Sequence, residues 1–174
     1  MAFYSGFSLH GEETLFCPYL DKGDFVVAGF SLGAIDAFSY ALRAKHRIDK
    51  LQLFSPAFFQ ESKEAFKKVQ LRYFQSDKAM YVQNFLDNSA YPAKTALEPF
   101  YHDSPLEDLQ RLLYFVWERE KLEILRQKGI MIEVYVGEKD KIVDTQSVVD
   151  FFQPFATVIM IKDVGHILQK EENG

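Results

Sequence analysis

Phe25-Val26-Val27-Ala28-Gly29-Phe30-Ser31-Leu32-Gly33-Ala34 is the stretch on which the fold turns. Its first four residues form a short, β-branched apolar run closed by Gly29, the pattern of a buried parallel strand. From Ala34 to Lys45 the apolar residues Ala37, Phe38 and Ala41 recur at helical spacing. Between strand and helix lies Gly29-Phe30-Ser31-Leu32-Gly33, which fits G-x-S-x-G in a strand–turn–helix setting. Such a turn is tight and strained, so small residues must flank the serine where neighbouring backbone comes close. The serine hydroxyl then stands above the sheet. The Leu32 N–H, at the helix start, points to where negative charge would develop. Ser31 is a candidate nucleophile and Leu32 a candidate oxyanion donor.

The same grammar extends outward. Phe3-Tyr4 reads as a strand ended by Ser5-Gly6, and Leu51 to Phe54 as a strand ended by Ser55-Pro56. Glu12 to Leu20 has helical spacing, with Leu15, Phe16 and Tyr19 on one face and Cys17 as a small buried residue. Ser104-Pro105-Leu106-Glu107 is a helix start, with Ser at the N-cap and Pro at the first helical position. It opens one long helix from Pro105 to Lys128, carrying Trp117 against the sheet and stopped by Gly129. Ile130 to Val136 is a strand, Thr145 to Phe152 a helix, Thr157 to Ile161 a strand, and His166 to Gln169 begins a last helix. Strands alternating with helices predict an α/β domain over residues 1–174, with a mostly parallel sheet and helices on both faces. Residues 57–103 break the rhythm: they carry helical segments and no clear strand. An insertion leaving a strand's carboxyl end is placed to form a lid over the site.

A serine at its ordinary pKa is a poor nucleophile and needs a base, with a third group to orient that base. His46, His102 and His166 follow Ser31. His46 lies at the far end of the next helix, about 18 Å away, beside Arg43, Lys45 and Arg47, where positive charge suits a helix C-terminus. His102 falls in the insertion and is expected to be exposed. His166 follows the last strand and so leaves the sheet at the same end as Ser31. For the acid, Asp140 follows the strand Ile130–Val136 by way of Gly137, in the loop where an orienting carboxylate belongs. Asp144 immediately precedes a helix and reads as its N-cap, and Asp163 stands close to His166 on a strand exit. The order Ser31, Asp140, His166 is the favoured set. The loop Ser5-Gly6-Phe7-Ser8 offers the Phe7 N–H as a second oxyanion donor, Gly6 letting the backbone turn.

The chain has 174 residues, 48% hydrophobic and 26% charged, enough for one globular domain with a core that needs no metal or disulfide. A single cysteine excludes an internal disulfide and a cysteine-based zinc site. A net charge of −5 argues against nucleic acid as the main partner. No run approaches the roughly 18 apolar residues of a membrane span, and the first residues lack the pattern of a secretory signal. A cytoplasmic domain is expected, with no metal and no cofactor. With 17 Phe and 9 Tyr the chain is rich in aromatics, which points to an apolar pocket or lid besides the core.

Taken together, the serine turn, the Gly137-to-Asp140 loop and the His166 loop resemble the α/β-hydrolase superfamily along the whole chain. The resemblance implies a reduced form of that fold, because only Phe3-Tyr4 precedes the strand of the serine turn; about five strands are expected. More narrowly, Phe3-Tyr4-Ser5-Gly6-Phe7, Ala28-Gly29-Phe30-Ser31-Leu32-Gly33-Ala34, Leu53-Phe54-Ser55-Pro56 and Lys139-Asp140-Lys141-Ile142-Val143-Asp144-Thr145-Gln146 are similar to a compact esterase group. Its members demethylate pimeloyl-[acyl-carrier protein] methyl ester in biotin synthesis. The resemblance implies that substrate and acyl carrier protein as partner; the spacing of the triad alone implies only a serine hydrolase. An acyl thioesterase, a small-molecule carboxylesterase or a catalytically silent binding module are the alternatives. An acidic carrier would favour a basic lid face. Between Lys63 and Lys78 the lid holds Lys63, Lys67, Lys68, Arg72 and Lys78 against Glu64 and Asp77. On a helix Phe66, Val69 and Tyr73 share one face and Lys68 and Arg72 the other. Gly6, Phe58, Phe59, Phe66 and Tyr73 are the candidate substrate contacts, and Lys67, Lys68 and Arg72 the candidate carrier contacts. The same pattern would also suit an ordinary amphipathic helix with a solvated face.

Overall fold

A computed structural model describes residues 1–171. Five short strands, β1 (Ala2–Tyr4), β2 (Val26–Phe30), β3 (Lys50–Phe54), β4 (Met131–Gly137) and β5 (Thr157–Ile161), form one sheet in chain order. Every neighbouring pair is parallel. β2 is apolar and buried on both faces, as a covered parallel sheet requires, and β3 is buried from Leu51 to Phe54 with Gln52 as its one buried polar residue.

Six α-helices connect or cap them: α1 (Leu32–Arg43), α2 (Glu64–Ser76), α3 (Lys78–Ala90), α4 (Leu106–Tyr114), α5 (Arg119–Gln127) and α6 (Thr145–Phe152). One face of the sheet, carrying Tyr4, Gly29, Leu51, Leu53 and Val134, packs on α1, with α4, α5 and α6 beside it. The other face is covered by the connection between β1 and β2. There the Phe16 ring lies 4.8 Å from Phe30, 4.9 Å from Phe54 and 5.9 Å from Phe3, all on that side of the pleat. Farther along this face Gln52, buried within the sheet, donates to Tyr19 O and Glu133, and Lys50 bridges Asp21 and Glu133. Burial and the neighbouring Glu133 carboxylate push the Tyr135 hydroxyl up to about 12.

Several elements differ from the reading of the sequence. Glu12 to Leu20 is not an α-helix: only Glu12–Phe16 is helical, of the 3-10 kind, and Cys17 is exposed. The segment 105–128 is two helices, because residues 115–118 are extended between α4 and α5. That break lets Trp117 turn inward, between Phe38 of α1 and Phe152 of α6, where its indole N–H donates to Ala57 O at 2.8 Å. Trp117 therefore packs among helices rather than on the sheet. Pro105, not Ser104, is the residue capping α4, and the buried Ser104 hydroxyl is used elsewhere. His166 to Gln169 is a turn followed by an isolated bridge between Val164 and Lys170, not a helix.

The insertion 57–103 holds α2, α3 and the 3-10 turn Glu98–Phe100. Asp77 closes α2 and caps α3, its carboxylate accepting from Met80 N at 3.1 Å. Phe74, Tyr81, Val82 and Leu86 join the same continuous core as the sheet.

Candidate active site

Ser31 occupies the turn between β2 and α1 with φ 53° and ψ −112°, a conformation an L-residue holds only under constraint. The constraint is visible on both sides. A Cβ on Gly29 would run into the Gly33 carbonyl, and one on Gly33 into the carbonyls of Tyr4 and Ser5. The motif's two glycines are thus where the helix start, β2 and the β1 exit touch backbone to backbone. Ser31 N donates to Phe54 O at 2.9 Å, and Ser31 O accepts from Ala57 N at 3.1 Å, tying the turn to the end of β3.

His166 arrives from beyond β5 and is fully buried. Its Nε2 lies 3.0 Å from Ser31 Oγ, and its Nδ1 2.7 Å from Asp140 Oδ2. The other Asp140 oxygen accepts from the Ile142 and Val143 amides at 2.7 and 3.0 Å, which fixes the carboxylate. Ser55, just past β3, donates its hydroxyl to His166 O at 2.6 Å and holds the histidine's backbone. Three loops leaving the same sheet end therefore meet in one line of hydroxyl, imidazole and carboxylate. Such a line lets the imidazole take the hydroxyl proton while the carboxylate fixes its tautomer and supports the imidazolium. Asp144 caps α6 through Gln146 N, and Asp163 is an exposed partner of Lys139 at 2.8 Å; neither reaches the histidine side chain. His46 is exposed and bonded to Tyr40, and His102 is exposed.

The loop after β1 completes the arrangement. Leu9 N donates to Gly6 O at 3.1 Å, closing a turn with Phe7 and Ser8 at its centre and Ser8 at φ 56°. A turn of this kind leaves its two central N–H groups free. Ser104 Oγ takes that of Ser8 at 3.1 Å. Among the described residues neither the Phe7 N–H nor the Leu32 N–H has an acceptor. The loop is held from outside by His102 N donating to Ser8 O and His10 N donating to Phe100 O.

The site is closed. Ser31 is 1% exposed and the His166 and Asp140 side chains 0%. The lid lies directly over it: the Phe7 ring meets Phe85 edge-on at 5.0 Å and Phe74 at 6.3 Å. Beside these contacts a cavity of about 430 Å³ opens between the lid and the acid loop. Phe59, Phe66 and Tyr73 line it, with the amide side chains of Gln70, Asn84 and Asn88 and with Ile142. Phe58 does not; it packs on Phe151 and Phe152 in the core. Gly6 lies in the loop below, against the Phe30 ring. Lys68 and Arg72 are exposed on α2, whereas Lys67 is buried with its ammonium 5.0 Å over the Tyr114 ring. Sequence reasoning missed Ser55, Ser104 and Glu12, whose carboxylate grips Gly6 N. Their spacing carries no periodic signal, since each acts across the fold.

No protein-family model and no curated protein matches this sequence. Solved structures do. MenH from S. aureus superposes with a TM-score of 0.61 at 13% identity, over 97% of this chain and 87% of its own. BioG from Haemophilus influenzae gives a TM-score of 0.61 at 13% identity, over 95% and 87%. Naproxen esterase from Bacillus subtilis gives 0.55 at 21% identity, over 84% of this chain and 55% of its own, so the present chain spans about half the length of that enzyme. Five parallel strands in chain order, a strained serine between β2 and α1 and a helical insertion after β3 make this a reduced α/β-hydrolase fold.

Proposed function

We propose that the protein is a serine carboxylesterase that hydrolyses the methyl ester of pimeloyl-[acyl-carrier protein] methyl ester, giving pimeloyl-[acyl-carrier protein] and methanol in biotin biosynthesis. The observation that carries the hydrolase reading is the continuous line from Ser31 Oγ through His166 to Asp140, with the Phe7 and Leu32 N–H groups lacking an acceptor among the described residues.

Ser31 Oγ attacks the ester carbonyl carbon as His166 Nε2 takes its proton. The carbonyl oxygen, now negative, is held by the Phe7 and Leu32 N–H groups. Collapse expels the methoxy group, which leaves as methanol with the proton from His166. A water molecule, deprotonated by His166, attacks the acyl-serine; its collapse restores Ser31 and releases the free carboxylate. Asp140 keeps Nδ1 of His166 protonated, so that Nε2 is the atom that takes the proton and then returns it in each step. The closed lid keeps bulk water away and so strengthens the contacts to the negative oxygen, while the second step admits the one water that it consumes.

Two features of the lid support this choice of substrate. The cavity pairs aromatic walls with side-chain amides, a lining suited to an acyl chain continuing into an amide-bearing arm. Outside it, Lys68 and Arg72 are exposed on α2, and Phe66 and Val69 are half-exposed on the same helix, cations and apolar surface that would suit an acidic carrier.

Mass spectrometry of pimeloyl-carrier-protein methyl ester after incubation tests the reading, with Ser31→Ala as control. Loss of one methyl group with the thioester intact, and no change with the variant, is the expected result. Cleavage of the thioester or of a generic short ester alone, through Ser31, would retain the hydrolase and remove this substrate. No hydrolysis of any ester would leave a binding module.

A further inference from the structure

Among the described residues two buried side-chain polar atoms lack a partner, Ser8 Oγ and Glu12 Oε2, and both belong to the loop that carries the Phe7 amide or to its anchor. Glu12 is fully buried in the 3-10 turn after that loop. Its Oε1 accepts the Gly6 N–H at 2.6 Å, a short bond. A buried carboxylate with one oxygen unsatisfied is a costly way to hold a single amide. Nothing in the packing of the 3-10 turn calls for it: Phe16, which fills the space over the sheet, is four residues further on.

What Glu12 does reach is the peptide next to Phe7. Gly6 backs on to the Phe30 ring, whose Cδ1 would lie 2.6 Å from a Cβ there, so the loop crosses the serine turn with no room to shift sideways. Its remaining freedom is rotation of the Ser5–Gly6 and Gly6–Phe7 peptides. The carboxylate fixes the first by taking its N–H, and the closed turn from Gly6 O to Leu9 N fixes the second. Together they leave the Phe7 N–H as the free donor.

We propose that Glu12 is a positioning residue for the oxyanion site: it holds Gly6 so that the Phe7 N–H stays turned toward the reacting carbonyl. This rests on the serine-hydrolase reading for its effect on turnover, though not for its effect on the loop. Glu12→Ala removes the acceptor, and Glu12→Gln keeps an oxygen in its place. With Glu12→Ala, kcat is expected to fall about 10- to 100-fold with KM changed less than about threefold. A trifluoromethyl ketone, which forms an oxyanion on Ser31, should lose affinity in parallel. Glu12→Gln should recover most of both losses. A merely structural glutamate would instead lower the fraction of folded, Ser31-labelled enzyme without moving kcat per labelled site.

Amide hydrogen exchange separates this proposal from the hydrolase reading. In Glu12→Ala the peptide covering residues 5–9 should exchange about tenfold faster or more, with β2 and β3 as protected as before. Unchanged exchange at 5–9, or a rise shared by every strand, would overturn the proposal. Failure of a fluorophosphonate to label Ser31 in the unaltered protein would count against the hydrolase reading alone; loop exchange would still decide the part played by Glu12.

Discussion

Asp140 spends both carboxylate oxygens, one on His166 Nδ1 and one on two backbone amides, so an amide in its place changes more than charge. Asp140→Asn would keep the space filled but present an N–H₂ either to the imidazole or to the Ile142 and Val143 donors. The imidazole is then driven to the wrong tautomer. Turnover should drop by about 10³- to 10⁴-fold with the fold intact, measured as kcat beside the thermal unfolding curve. Glu12 gives a prediction about stability. Burial raises its pKa above the ordinary carboxylate value, against the opposing effect of the Gly6 N–H. The folded state therefore binds the proton more tightly than the unfolded chain, and ionising the group costs stability as pH rises through the folded pKa. Glu12→Gln should accordingly be more stable than the unaltered protein near neutral pH, and the advantage should shrink to nothing below about pH 4. Unfolding curves across pH 3.5 to 8 measure it. Of these residues Ser31, Asp140 and His166 are legible in sequence as a set that would meet, because each follows a strand at a fixed topological place, and the structure brings them together. Glu12 is not: six residues past Gly6, between Gly11 and Glu13, it reads like any surface acid.

α2 is the element through which the lid meets the outside. Its exposed face carries Lys68 and Arg72, while Lys67 is folded inward over Tyr114. Reversing both exposed charges, in Lys68→Glu with Arg72→Glu, should raise KM for a carrier-bound ester about tenfold at low salt and leave KM for a small ester alone. The difference should fade as ionic strength rises. Steady-state kinetics on the two substrates read it; an equal effect on both would place these side chains outside the carrier encounter. The periodic elements were the readable ones. The reading of Thr145 to Phe152 and Thr157 to Ile161 matches α6 and β5 residue for residue, since turn residues bracket each. The break between α4 and α5 was hidden because Phe115 and Trp117 continue an apolar pattern that a single helix would also show. Only tertiary packing, the indole reaching Ala57 O, decides it. Lys67 was misplaced for a similar reason: helical spacing assigns a face, and a neighbouring ring can still draw a long side chain back.

At the scale of the whole molecule, the lid and the sheet share one core. Phe74, Tyr81, Val82 and Leu86 belong to the same cluster as Leu51, Leu53 and Val134, so the insertion has no apolar interior of its own. Unfolding should be a single transition. Fluorescence of Trp117, the chain's one tryptophan, and far-ultraviolet circular dichroism should give superimposable urea curves. An earlier step in the dichroism alone would mean that the lid melts separately. The link from β1 to β2 crosses the sheet face opposite α1 and holds a 3-10 turn instead of the expected α-helix. No alternation of strand and helix announces this.

Strand order that follows chain order has a consequence for how the molecule is made. Each strand pairs with the one synthesised just before it, so the sheet can be laid down from one edge to the other as the chain emerges. Ser31 and His166 are 135 residues apart in sequence. A growing chain carries the strained serine turn long before it carries the imidazole, and the hydroxyl has no imidazole beside it until all five strands have been made.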